Sequence, residues 1–120
     1  MRTGYVAQHG KEKGAILIVQ APRAVGIVTY KNLYPGTYKD EVDRDTFEWC
    51  YRHLCLRHLN PLQVWNDLHD AAYGHEPVLV TLRRDVLACH RRLVADWLTE
   101  ELGYDVPECD RPVQLSLLAG

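Results

Sequence analysis

The stretch "VLVTLRRDVLACHRRLVADWL", residues 78–98, decides the fold. Its first five residues form a short, nearly continuous apolar run rich in branched side chains. Such a run suits a strand covered on both faces, as in a parallel sheet. Further on, Leu93, Val94, Trp97 and Leu98 recur at three- and four-residue steps, and Gly103 follows. That spacing predicts a helix over about 89–102, ended by a glycine that tolerates the left-handed conformation. Strand, loop and helix in that order form the repeating unit of an open α/β sheet.

Working outward, "AILIV" at residues 15–19 is a second branched apolar run. Helical sequence separates it from 78–82, so the two runs are expected to be neighbouring parallel strands joined by a crossover. A helix over about 45–59 follows from the steps Phe47, Cys50, Tyr51, Leu54, Cys55 and His58, which should form one apolar face. "NP" at Asn60 and Pro61 supplies an N-cap and an N1 proline for another helix that ends before Gly74. Short strands are expected at 3–8 and 104–106. Val113, Leu115 and Leu117 alternate as in an edge strand or a packed tail. Residues 20–43 show no clear period and read as a loop with a short strand. The whole chain reads as one α/β domain, residues 1–120: a small, mostly parallel sheet packed by helices.

The bulk properties exclude several function classes. Fourteen basic and 16 acidic side chains leave a net charge of −2, whereas proteins that coat extended nucleic acid carry a basic excess. No apolar run reaches the roughly 20 residues that span a bilayer. The first residues, "MRTGYVAQHGKEKG", lack the apolar core of a signal peptide, so a cytoplasmic protein with reduced cysteines is expected. No cofactor is implied, because Walker, G-x-G-x-x-G, G-x-S-x-G and H-E-x-x-H patterns are all lacking.

The loop before the 89–102 helix concentrates chemistry. Arg83, Arg84, Arg91 and Arg92 surround Cys89 and His90. A helix start leaves backbone N–H groups unpaired and carries partial positive charge, which stabilises a thiolate and attracts anions. Arginines grip phosphate with two parallel hydrogen bonds. One reading is therefore a site for a phosphate-bearing ligand, with Cys89 as nucleophile or His90 as acid–base group. Arg23, Thr81, Arg83 and Arg91 would be its ligand contacts, and Lys31 and Tyr34 would stand in a second rank. Arg91 is expected to reach the crevice from a solvated position, so that removing it leaves the fold intact. The competing reading is an ordinary helix start, with His90 turned onto the face of Leu93, Val94 and Trp97 and tied to a carbonyl. The strand–loop–helix setting favours a site, since ligands of open α/β sheets bind outside the carboxyl ends of the strands. No C-x5-R phosphatase pattern starts at Cys89.

Other clusters read as structural. "CYRHLCLRH", residues 50–58, is dense in cysteine and histidine, but four ligands cannot converge on zinc from one helix. Cys50 and Cys55 are expected in the core, and no metal site is expected anywhere. His69 and His75 flank a helix end, His9 sits in a polar turn, and Trp49, Trp65 and Trp97 are expected to pack helices on the sheet.

The pattern "PVLVTL…ACHRRLVADWLTEELG", followed by "VPE", resembles the domain of unknown function 488 family, in particular its short members met in phages and bacteria. Those show an apolar strand, a cysteine and a glutamate after it, then "CHR" opening a helix that ends in "WL". Cys89, His90 and Arg91 match the triplet, and Ala95, Trp97 and Leu98 match the helix. "NPLQVWNDL" resembles the helix before the strand. The resemblance covers residues 60–108. It departs at Thr81, where the family has the cysteine, and at Arg83, where it has the glutamate. Arg83 makes the crevice more cationic and removes a candidate general base. The expected function is binding of a phosphate-bearing small molecule, nucleotide- or nucleoside-like, at the "CHR" helix start, as an enzyme or as a binder. The alternative is a non-catalytic accessory or protein-interaction module of phage or mobile-element type.

Overall fold

A computed structural model of the chain describes residues 1–21, 26–36, 42–82 and 90–109. Among these, four strands form one sheet: β1 (Arg2–Tyr5), β2 (Ala15–Leu17), β3 (Val28–Thr29) and β4 (Val78–Thr81). All pairings are parallel, and the order across the sheet is β1-β4-β2-β3. The expected neighbours 15–19 and 78–82 are indeed paired, with Ile16 opposite Leu79 and Leu17 opposite Val80. Both strands are buried throughout, which is why neither shows polar alternation.

The helices are α1 (Val6–His9), α2 (Arg44–Cys50), α3 (Pro61–Ala71) and α4 (Arg91–Leu102). Ile16, Ile18 and Leu79 point to one face, where Tyr51, Leu56, Val64, Leu68, Val94 and Leu98 cover them. Leu17, Val19, Val78 and Val80 point to the other, against Val6, Ala21, Ile27 and Cys109. The face under α2, α3 and α4 thus holds the larger core. Each fully buried branched side chain there contributes about 1.5–3 kcal/mol.

Local signals explain the helix ends. The Asn60 side chain accepts from the Gln63 amide at 3.0 Å, and Pro61 opens α3. Gly103, at φ +76°, closes α4 and donates its amide to the Thr99 carbonyl. The expected helix over 45–59 needs correction. After α2 the backbone widens into a π turn at Tyr51–Cys55 and then tightens into a 3₁₀ turn at Leu56–His58. The Tyr51 hydroxyl donates to the Leu33 carbonyl at 2.7 Å, and the Cys55 thiol points to the Asn32 carbonyl. These anchors rotate the face, so Leu56 is buried while Leu54 and His58 are exposed. Cys50 and Cys55 are half-buried rather than in the core. Trp97 is buried and Trp65 half-buried, but Trp49 is 56% exposed and stacks on His53, so it does not pack against the sheet.

Two further expectations shift. The strand expected over 3–8 gives way to α1 from Val6. Pairing expected at 104–106 instead occurs at Glu108, which bridges to Thr3 in parallel on the outer edge of β1. The tail at 113–117 lies outside the described residues.

Tyr30, at the end of β3, donates to Asp67 of α3 at 2.7 Å. Burial, and then the bond to Asp67, push its phenol from 10.0 up to about 12. The folded state therefore favours the neutral phenol, and this stabilisation is complete below pH 10 and lost as pH rises towards 12. Denaturant midpoints should fall across that window, and Tyr30→Phe should flatten the fall.

Candidate functional site

The connections that leave β1 and β4 part at the carboxyl edge of the sheet. α1 follows β1 and lays Val6 on the smaller core, whereas the chain after β4 returns as α4 over the larger one. β1 and β4 are hydrogen-bonded neighbours, with Tyr5 opposite Thr81. Adjacent parallel strands whose connections leave to opposite faces open a crevice at their carboxyl ends. Thr81, the last residue of β4, is buried, Leu82 beyond it is exposed, and His90 brings the chain back into α4.

His90 is 2% exposed. Its Nε2 lies 2.7 Å from the carbonyl of Ile18, just beyond β2. A carbonyl only accepts, so Nε2 carries the proton. The ring packs at 5.0 Å from Tyr51 and 6.4 Å from Phe47. The histidine therefore ties the start of α4 to the carboxyl end of β2, as the core-histidine reading expects. With Nε2 donating to Ile18, this nitrogen does not serve as an acid–base group towards a ligand.

Arg91 is fully buried, which overturns the expectation of a solvated arginine reaching an anion. Its Nε and Nη2 donate to the Glu108 carboxylate at 3.0 and 2.8 Å, and its Nη1 donates to the Thr81 hydroxyl at 2.8 Å. Thr3 donates its hydroxyl to Glu108 at 2.6 Å and accepts from Arg92 at 2.9 Å. Arg92 also reaches the Val106 carbonyl at 2.7 Å. A forked guanidinium matched to a carboxylate is the strong form of ion pair, and here the polar groups around it are satisfied as well. The network clamps α4, β1, β4 and the 106–109 segment together. Its physical reason is burial: a charge without water needs a counter-charge at hydrogen-bond distance.

Of the expected site residues, Thr81 and Arg91 are joined by a hydrogen bond inside the buried clamp, and His90 is buried against the Ile18 carbonyl. Lys31 is exposed on a 3₁₀ turn after β3, and Tyr34 is half-buried beside Cys55. Arg23, Arg83, Arg84 and Cys89 lie outside the described residues. Sequence reading missed the partners of Arg91. Glu108 ended the "VPE" of the resemblance without a role, and Thr3 sat inside an expected strand. A signal existed: an arginine on the apolar face of a helix demands a carboxylate.

Among the described residues, one group of metal-ligating side chains converges, His9, Glu12 and Cys109. Arg2 donates to Glu12 at 2.9 Å. Burial alone would raise the Glu12 carboxyl, but its bonds to His9 and Arg2 hold it below its ordinary value. No helix among the described residues is long and apolar enough to cross a membrane. No family model, no curated protein and no solved structure matches this chain.

Proposed function

We propose that the chain binds a phosphate-bearing small molecule, nucleotide- or nucleoside-like, in the crevice at the carboxyl ends of β1 and β4. One observation carries this reading: the connections after these neighbouring strands depart to opposite faces beside the start of α4. The amino end of α4 offers backbone donors and partial positive charge to an anion. His90 and Arg91 serve the site as positioning residues. They fix the helix start against β2, β4 and the 106–109 segment, while Arg83, Arg23 and Cys89 are assigned to the ligand. The likeness of residues 60–108 to the domain of unknown function 488 family centres on the same triplet and supports the same corner.

The test is a thermal-shift screen of nucleotides, nucleosides, sugar phosphates and inorganic phosphate. A ligand at 100 times its dissociation constant should stabilise the fold by about 2.7 kcal/mol. Arg83→Ala should leave the ligand-free melting temperature within a degree or two. It should weaken binding by about 1.5–3 kcal/mol, the contribution of a hydrogen bond to a charged group. An Arg83→Ala protein that binds as tightly as the parent removes the arginine from the site. A screen in which no phosphate compound shifts the melting temperature overturns the reading.

A further inference from the structure

On the sheet face opposite α2, α3 and α4, three side chains of different chemistry meet beside β1. His9 ends α1, Glu12 lies one turn further on, and Cys109 follows the residue that bridges to Thr3. One donor atom from each lies within 4.8 Å of the other two. All three are half-buried. We propose that this cluster is a site for a divalent ion of the zinc class, held by imidazole, carboxylate and thiolate, with a fourth position left for water or a ligand.

Donor chemistry selects the ion. A thiolate with an imidazole and one carboxylate suits zinc, whereas magnesium and calcium take oxygen ligands. Bonds of about 2.0–2.3 Å in a tetrahedron set donors roughly 3.3–3.7 Å apart. The observed spread of at most 4.8 Å needs only side-chain adjustment to reach that. Binding exchanges the His9–Glu12 hydrogen bond for two bonds to the ion; the proton of that bond passes to Nε2 of the ring, or to solvent where the imidazole is charged, and the thiol proton leaves to solvent.

The surroundings are shaped for these three groups. Gly4 of β1 lies beneath them, and a Cβ there would stand 2.7 Å from His9 Cδ2 and 3.5 Å from Cys109 Sγ. A side chain at this position would crowd the imidazole, and glycine leaves it room to lie over the strand beside the thiol. The Cys109 amide donates to the Thr3 carbonyl at 2.7 Å, which fixes the cysteine backbone at the edge of β1. Arg2 holds the Glu12 carboxylate by one oxygen, Oε1, while the other, Oε2, faces His9. Such a partner behind a ligating carboxylate sets its orientation. Glu12 also lines an open cleft with Val6, Gly10 and Lys13, so its side of the cluster is open to solvent.

Cobalt(II) and zinc(II) are the probes. The chelator-treated full chain is titrated with cobalt, and the near-ultraviolet thiolate-to-cobalt band is recorded; zinc affinity comes from competition with a fluorescent chelator. One ion per chain is expected. Cys109→Ser should abolish the band, and His9→Ala should weaken zinc binding at least about 100-fold, with Arg2→Met costing about tenfold because the Glu12 carboxylate loses the partner that orients it. The triple variant Cys50→Ser, Cys55→Ser, Cys89→Ser keeps Cys109 as its one thiol and should retain the full band. Gly4→Ala should weaken binding while circular dichroism shows a folded chain. Loss of the band in the triple variant, or its survival in Cys109→Ser, overturns the proposal. So does a parent chain that binds no cobalt or zinc at micromolar concentration.

Discussion

Arg91→Ala is expected to destabilise the fold by about 3–5 kcal/mol, because it strands a buried carboxylate without its counter-charge. A solvated arginine would cost less than about 0.5 kcal/mol, so the two accounts of this residue differ in size and not only in sense. The Arg91 side chain is 0% exposed and that of Glu108 4%. Removing the guanidinium also takes a donor from Thr81, and Arg92, which donates to Thr3 rather than to the stranded carboxylate, does not replace it. Glu108→Ala should cost a comparable amount for the mirror reason. The pair Arg91→Met with Glu108→Leu removes both charges at similar volume and should recover most of the loss, since exchanging a whole buried ion pair for apolar side chains is often neutral or favourable. Urea unfolding of the parent, Arg91→Met, Glu108→Leu and the pair gives the coupling energy. Urea unfolding that puts Arg91→Ala within about 1 kcal/mol of the parent would place the arginine in solvent and dissolve the clamp.

His90→Ala carries the second large effect, about 2–4 kcal/mol. The Ile18 carbonyl would lose its donor, at about 1–3 kcal/mol for a buried polar group left unmade, and the space beside Tyr51 and Phe47 would become a cavity. His90→Gln separates the two contributions. Its amide nitrogen can donate to Ile18, so this variant should recover part of the loss, while His90→Leu fills the space but leaves the carbonyl unpaired. If His90→Leu is as stable as the parent, the hydrogen bond to Ile18 has no energetic weight. These variants also bear on function, because an altered start of α4 should weaken the phosphate ligand together with the fold.

Much of the architecture was legible in the sequence, and the failures have local causes. The strands at 15–17 and 78–81 declared themselves by being apolar on both faces, which is the mark of a sheet covered on both sides. α3 was legible from Asn60 and Pro61 at its start, and α4 from the spacing of Leu93, Val94, Trp97 and Leu98 before Gly103. The helix over 45–59 misled, because the regular step of 3.6 residues breaks where Tyr51 and Cys55 reach back to the 32–34 backbone. That contact is tertiary and leaves no periodic trace. His90 as a core histidine was legible from its place on the apolar face of α4. Arg91 misled for the opposite reason: arginine is normally solvated, and the carboxylate that permits its burial lies after α4, at Glu108. The same separation along the chain hid the meeting of His9 and Glu12 with Cys109. "HGKEKG" reads as a polar turn, and nothing local to it indicates a thiol.

The proposed function divides the labour at the carboxyl end of the sheet: His90 and Arg91 build the start of α4, and the crevice before it is proposed to take a phosphate-bearing ligand. Amide chemical shifts of the labelled parent chain, recorded as adenosine monophosphate and inorganic phosphate are titrated in turn, test that most directly. The account predicts saturable shifts at Thr81, Leu82, His90 and Arg91, larger for the nucleotide, with Trp49 and His53 on α2 and its π turn unmoved. Saturable shifts that map to α2 or α3, or no shifts for either compound up to millimolar concentration, would contradict it.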